Sequence, residues 1–201
     1  YVVNRNVNWT NICFVGCKFC AFAHYKRDPL AYDLPIETVL AKIQEGIDRG
    51  ATEVCMQGGI NPDMADDGYF RILEAVHSAF PRLHIHAYSP MEVLYGARRA
   101  SMSFREYISR LIELGLGSMP GTAAEILDDE VRDVLSHKKL TAADWVDIIR
   151  TAHTLGLPTT STLMYGHIET PWHIARHIDL LRSIQAETGG FTEFVPLRFI
   201  W

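Results

Sequence analysis

With 201 residues, 48% of them apolar and 21% charged, the chain is long enough to bury the core of one domain. A net charge of −5 gives no electrostatic case for nucleic acid or an anionic membrane surface, and no apolar run approaches the length of a membrane span. Four cysteines, three clustered and Cys55 alone, do not make a secreted disulfide framework and suit a reducing cytoplasm.

Periodicity divides the chain into alternating strands and helices. Residues 1–8 read as a first strand, which runs into Cys13-Phe14-Val15-Gly16-Cys17-Lys18-Phe19-Cys20. Ile36, Val39, Leu40, Ile43 and Ile47 share one helical face that Gly50 ends. Residues 53–57 form a second strand, followed by the sharp turn Gly58-Gly59-Ile60-Asn61-Pro62. A helix carrying Phe70, Leu73, Val76, His77 and Phe80 stops at Pro81. In the third strand, 83–88, Leu83, Ile85 and Ala87 alternate with His84, His86 and Tyr88, so the polar trio is expected to line a lumen.

Ser103 and Glu106 make a capping box for the next helix, which buries Phe104, Ile108, Leu111 and Ile112. Residues 116–120 read as a fourth strand, and Gly121 to Glu125 enter a short helix reaching about Leu135. Within it, Asp128, Asp129 and Glu130 read as a solvated helix start. Thr141 caps a helix whose inner face is Trp145, Ile148, Ile149, Ala152 and Leu155. Residues 159–164 form a fifth strand, Thr170-Pro171 opens a long helix, and 191–200 form a sixth strand. Both ends read as cut, so residues 1–201 are expected to be one core domain of a longer chain.

Such alternation without hairpin signals means parallel strands joined by crossover helices. The expected class is α/β, a partial, splayed (β/α)6 TIM-like barrel. In barrels the active site is built from loops at the C-terminal ends of strands. The unusual residues collect there: the cysteines after strand one, Gly58-Gly59 after strand two, Glu125 after strand four, and Met164 to Glu169 after strand five.

Three thiolates in a C-x3-C-x2-C loop leave a metal centre one protein ligand short of a closed site. An open iron–sulfur cluster, a zinc site completed by a residue such as His24, and buried thiols all stand at this point. Glu125 reads either as a helix-start carboxylate or as a holder of hydroxyl or ammonium groups. Gly58-Gly59 reads either as a tight turn or as backbone close to a ligand. Cys55 reads as a small buried strand residue.

The pattern Cys13-x3-Cys17-x-Phe19-Cys20 resembles the signature of the radical S-adenosylmethionine (SAM) enzymes. That resemblance implies a 4Fe–4S cluster on Cys13, Cys17 and Cys20, whose open iron is chelated by the methionine end of SAM. It places Gly58, Gly59 and Asn61 in the turn at the SAM amino group, and Phe19, Gly166 and Glu169 beside the adenine. Ser89, Arg132 and Lys139 are candidates for the SAM carboxylate, with Glu125 for ribose hydroxyls or the ammonium.

Residues 83–92, 115–127 and 190–197 resemble, more narrowly, the tyrosine-using branch of the FO synthases, makers of a deazaflavin chromophore. This implies L-tyrosine and 5-amino-6-(D-ribitylamino)uracil as substrates, a one-electron reductant, and the other FO synthase subunit or domain as partner. The implied reaction takes a hydrogen from tyrosine, breaks its Cα–Cβ bond and adds the 4-hydroxybenzyl fragment to the diaminouracil, releasing 2-iminoacetate. His84, His86 and Tyr88 are the candidates for substrate contact and catalysis. Aminofutalosine synthase is the alternative on the same scaffold, though Thr122-Ala123-Ala124 favours the FO branch. A non-catalytic iron–sulfur or zinc module is the alternative from another class. Trp201 stands where the family is expected to carry a small polar residue or histidine.

Overall fold

A computed structural model describes residues 1–200; Trp201 lies outside the described residues. The elements are β1 (Asn4–Val7), α1 (Ile36–Ile47), β2 (Glu53–Met56), α2 (Gly68–Ala79), β3 (His84–Ala87), α3 (Pro90–Ala100), α4 (Phe104–Glu113), α5 (Asp129–Ser136), α6 (Ala142–Thr154), β4 (Thr159–Tyr165), α7 (Pro171–Thr188) and β5 (Phe191–Arg198).

β1, β2 and β3 pair in parallel, with Asn4, Glu53 and His84 in one row and Asn6, Cys55 and His86 in another. β4 and β5 form a second parallel pair. The expected fourth strand is reduced to two parallel bridges, His86 to Ser118 and Met119 to Thr159. These join the pairs into one open arc, a partial barrel. Its shortness has a local cause: Pro120 has no N–H to donate, and Gly121 passes hard against β4. A Cβ on Gly121 would lie 1.8 Å from the Thr160 carbonyl oxygen. Gly121→Ala is expected to destabilise the protein by about 3 kcal/mol, read as a lowered denaturant midpoint with an unchanged m-value.

α3 was not legible as a helix. Ser89 caps it, with Pro90 at the first position and Glu92 completing a capping box. Five consecutive residues, Pro90 to Leu94, are buried, so its first turns show no exposed face to mark a helix. The expected helix from Gly121 begins only at Asp129, capped by Asp128. Residues 121–128 are instead an irregular turn, in which Ala123 and Glu125 hold φ of 64° and 44°.

The alternation of β3 also stops short. Ile85 and Ala87 are buried as expected, but Tyr88 takes φ 64°. It turns into the helix layer, where its hydroxyl donates to the Tyr69 carbonyl at 2.7 Å. Tyr88, Tyr69 and Trp9 pack edge-to-face with centroids 5.1–6.1 Å apart. Tyr88 is therefore a core residue beneath the site, and not a lumen group.

Candidate active site

The cysteine loop is fixed by its backbone. Cys13 N–H donates to the His24 carbonyl, Phe14 N–H to Ile60, Lys18 N–H to Leu135 and Cys20 N–H to Cys17. These bonds tie the loop to the β2 turn and to α5 while leaving the thiols toward a common hollow. Cys13, Cys17, Cys20, Phe19, Gly58, Gly59, Ser89, Glu125 and Lys139 together line one cavity of about 190 Å³ at the C-terminal ends of the strands.

The carboxylate and ammonium in this hollow are paired. Lys139 Nζ donates to Glu125 Oε1 at 2.7 Å and lies 5.2 Å from the Phe19 ring centre. The second oxygen, Glu125 Oε2, is buried with no hydrogen-bond partner; Arg132 Nη1 approaches only to 3.8 Å. Glu125 is held there by a strained turn rather than by a helix start. Arg132 anchors that turn: its guanidinium donates five hydrogen bonds to the carbonyls of Ala123, Ala124, Ile126 and Leu140. Arg132 is thus a brace, with its donors engaged by the backbone, and not a ligand group in the cavity.

His177 closes the same turn onto the sheet. Its Nδ1 accepts from Leu127 N–H and its Nε2 donates to the Thr162 carbonyl, each at 3.0 Å. Burial lowers its pKa from 6.5 to about 4. A histidine held neutral contributes fully above pH 6.5 and loses that contribution as pH falls towards 4, a loss of roughly 3 kcal/mol when complete. His153, also lowered to about 4 by burial, adds to the slope. Thermal melts from pH 7.5 to 4.5 are expected to fall more steeply for the wild type than for His177→Gln, whose amide keeps one donor and one acceptor without titrating.

The glycines serve packing. A Cβ on Gly58 would lie 2.6 Å from the Trp9 ring, and one on Gly59 2.3 Å from the Ile12 carbonyl oxygen. Neither has positive φ, so close approach of the two loops, and not a left-handed turn, requires them. Asn61 is buried in its own turn, donating to Asp33 and accepting from Asp63 N–H, and does not line the cavity. Ser89 does line it, as the cap of α3, donating to Glu92 Oε2 at 2.7 Å.

Gly166 and Glu169 are not brought into the hollow. Glu169 accepts from the N–H groups of Gly166 and His167 and closes its own loop. Gly166, at φ 90°, is the turn that lets it do so. Contact with this side runs through Phe19, which packs on the small apolar cluster containing Leu163 and Met164.

Gln57, Glu92 and Thr122 also line the cavity. Glu92 is the most informative. It accepts from Gly58 N–H, Ser89 N–H and Ser89 Oγ, yet burial pushes its carboxyl up to about 7. Its signal was the Ser89-x-x-Glu92 spacing, a capping box hidden in an apolar stretch.

His84 and His86 lie lower in the lumen, on either side of the Ser118 hydroxyl at 2.8 and 2.7 Å. Cys55 is half-buried there, and 3.6 Å from Gln57 Nε2. His24 faces Asp28, 3.1 Å away, and does not line the cysteine cavity. Among the described residues, Asp128, Glu130 and His173 bring their ligand atoms within 4.8 Å of one another, away from this cavity.

The sequence profile of the radical SAM superfamily matches residues 7–181. The chain belongs to the radical SAM superfamily. It is 54% identical over 200 residues to an FO synthase of Streptomyces avermitilis, covering 100% of this chain and 23% of that protein. It is 50% identical, over 100% of this chain and 57% of the relative, to the 5-amino-6-(D-ribitylamino)uracil–L-tyrosine 4-hydroxyphenyl transferase of Archaeoglobus fulgidus. The chain therefore spans about a quarter of one relative and somewhat over half of the other. Among solved structures, methylornithine synthase PylB superposes with a TM-score of 0.76 at 14% identity, over 98% of this chain and 53% of its own. Streptococcus suis SuiB bound to S-adenosylmethionine does so at 0.65 and 12% identity, over 100% and 41%. Those two likenesses show a shared fold.

The donor set suits the superfamily's cofactors. Burial pushes the Cys17 thiol up to about 11, so its thiolate needs a cationic centre to form, and iron supplies one. The unpartnered Glu125 Oε2 suits a donor-bearing ligand in the same hollow.

Proposed function

We propose that this chain is the catalytic core of a radical SAM transferase that joins the 4-hydroxybenzyl group of L-tyrosine to 5-amino-6-(D-ribitylamino)uracil. One observation carries the site: three cysteines and a buried carboxylate with an unpartnered oxygen share one hollow. The substrates rest on similarity to the two relatives across the whole chain.

In this reading Cys13, Cys17 and Cys20 hold a 4Fe–4S cluster. Glu125 takes hydroxyl or ammonium groups of SAM, Lys139 and Ser89 face its carboxylate end, and Phe19 covers its adenine. When bound, the cluster and SAM supply one-electron cleavage chemistry that draws a hydrogen atom from the substrate. The protein's part is to hold the groups in register and keep water out. Val15 is buried, and Phe14 packs on Tyr95 at 5.7 Å, shielding the loop. Lys139 neutralises Glu125 in place, so the pair orients a polar ligand without an uncompensated charge.

The reaction requires a one-electron reductant, and the relatives' greater length supports a further domain or subunit as partner. Among the described residues no helix is long and apolar enough to cross a membrane. We place the protein in the cytoplasm, where its thiols stay reduced.

The test is anaerobic cluster reconstitution followed by SAM, dithionite, L-tyrosine and the diaminouracil. Formation of 5′-deoxyadenosine together with a benzylated uracil is expected. No 5′-deoxyadenosine would overturn the radical reading. 5′-Deoxyadenosine without a benzylated uracil would overturn the substrate pair alone.

A further inference from the structure

Below the cysteine hollow lies a second cavity of about 580 Å³, inside the lumen toward the N-terminal ends of the strands. Val2, Cys55 and Pro158 give it an apolar wall, set with polar side chains. Asn4, Glu53, His84, His86, Ser118 and Glu193 all face it, and no lysine or arginine is among the residues that line it. The hydrogen-bonding groups are ordered among themselves: Asn4 Nδ2 donates to Glu53 Oε1, and the Ser118 hydroxyl bridges the two imidazoles.

The two cavities share a wall. Glu53, Cys55 and Gln57 follow one another on the lumen side, Glu53 and Cys55 lining the lower cavity and Gln57 the upper. Residues two apart on a strand are separated by roughly 7 Å, so the lower cavity opens about one side chain below the cysteine hollow. Thr122 Oγ1 donates to Gln57 Oε1 and Gln57 Nε2 lies against Cys55 Sγ, making Gln57 the partition.

The charge of this chamber selects its occupant. A carboxylate or phosphate would meet Glu53 and Glu193 with no lysine or arginine to compensate it; Glu193 and His84, 3.7 Å from Glu53, are exposed, so this repulsion is partly screened by solvent. A neutral, many-hydroxyl molecule would find an alternating set of donors and acceptors. We propose that the lower lumen is the binding chamber of the uncharged ribityl-pyrimidine substrate, its polyol tail down among Asn4, Glu53, His84 and Ser118 and its ring at Gln57. This assignment rests on the substrate pair proposed above.

Binding and radical chemistry separate cleanly in the test. The protein loaded with its cluster and SAM, without reductant, is dialysed anaerobically against 5-amino-6-(D-ribitylamino)uracil or its 5′-phosphate ester. The free compound is expected to bind at least tenfold more tightly than the ester. The double variant Glu53→Gln/Glu193→Gln is expected to narrow that ratio to under threefold. Ser118→Ala and, independently, Asn4→Ala are expected to weaken the free compound tenfold while leaving SAM binding unchanged. An ester that binds within threefold of the free compound would overturn the proposal, as would full affinity in both of these variants. Intact 5′-deoxyadenosine formation without diaminouracil binding would defeat the chamber alone. Binding with the predicted charge preference but no 5′-deoxyadenosine would uphold the chamber and defeat the radical reading.

Discussion

Cys17→Ala protein, reconstituted anaerobically with iron and sulfide, is expected to show less than a tenth of the wild-type charge-transfer absorbance near the visible region and no 5′-deoxyadenosine. The same holds for Cys13→Ala and Cys20→Ala, because the loop offers three thiols and no substitute. His24 is held by Asp28, and Cys55 lies in the lower lumen. The fold should survive, since none of the three cysteines is fully buried. Unchanged far-ultraviolet circular dichroism would show that the loss belongs to the metal centre. A single-cysteine variant that still binds a full complement of iron would contradict the ligand assignment.

Arg132→Met is expected to be among the most destabilising single changes outside the apolar core, by about 3–5 kcal/mol. The side chain is 4% exposed and supplies every donor that four buried carbonyls receive from it. Methionine leaves those oxygens without partners in a region water reaches poorly. The 121–128 turn would then release its strained residues, Ala123 and Glu125, and the cavity would lose the carboxylate it positions. Arg132→Lys should recover little, because a single ammonium cannot reproduce the planar fork. Urea denaturation reads the stability, and SAM affinity reads the turn. A variant with wild-type stability, or one that weakens SAM by less than threefold, would show that Arg132 braces nothing.

The alternation of strands and helices was legible because each surface helix has one apolar face and each strand ends in a turn residue. The cysteines, Phe19, Glu125 and Lys139 were legible because the topology sends every C-terminal loop to one end. What was hidden had physical reasons. α3 opens with five consecutive buried residues, Pro90 to Leu94, so its first turns read as a continuation of the strand before it. Tyr88 departs from β3's alternation through a left-handed backbone that no neighbouring residue announces. Arg132 looked like a ligand cation, and only the four carbonyls around it reveal a brace. Gly58 and Gly59 do line the cavity, but their close packing on Trp9 and Ile12 is a tertiary contact that no local pattern announces. Gly166 and Glu169 lie after the right strand, but Glu169 folds back on its own loop.

The central claim is that Cys13, Cys17 and Cys20 hold a cluster with one iron open to SAM. The most direct measurement is low-temperature electron paramagnetic resonance of the dithionite-reduced, reconstituted protein with and without SAM. Direct chelation predicts a change in the g-values of the reduced cluster on adding SAM, lost in a Glu125→Gln variant at the same SAM concentration. A spectrum that SAM leaves unaltered at saturating concentration would contradict it.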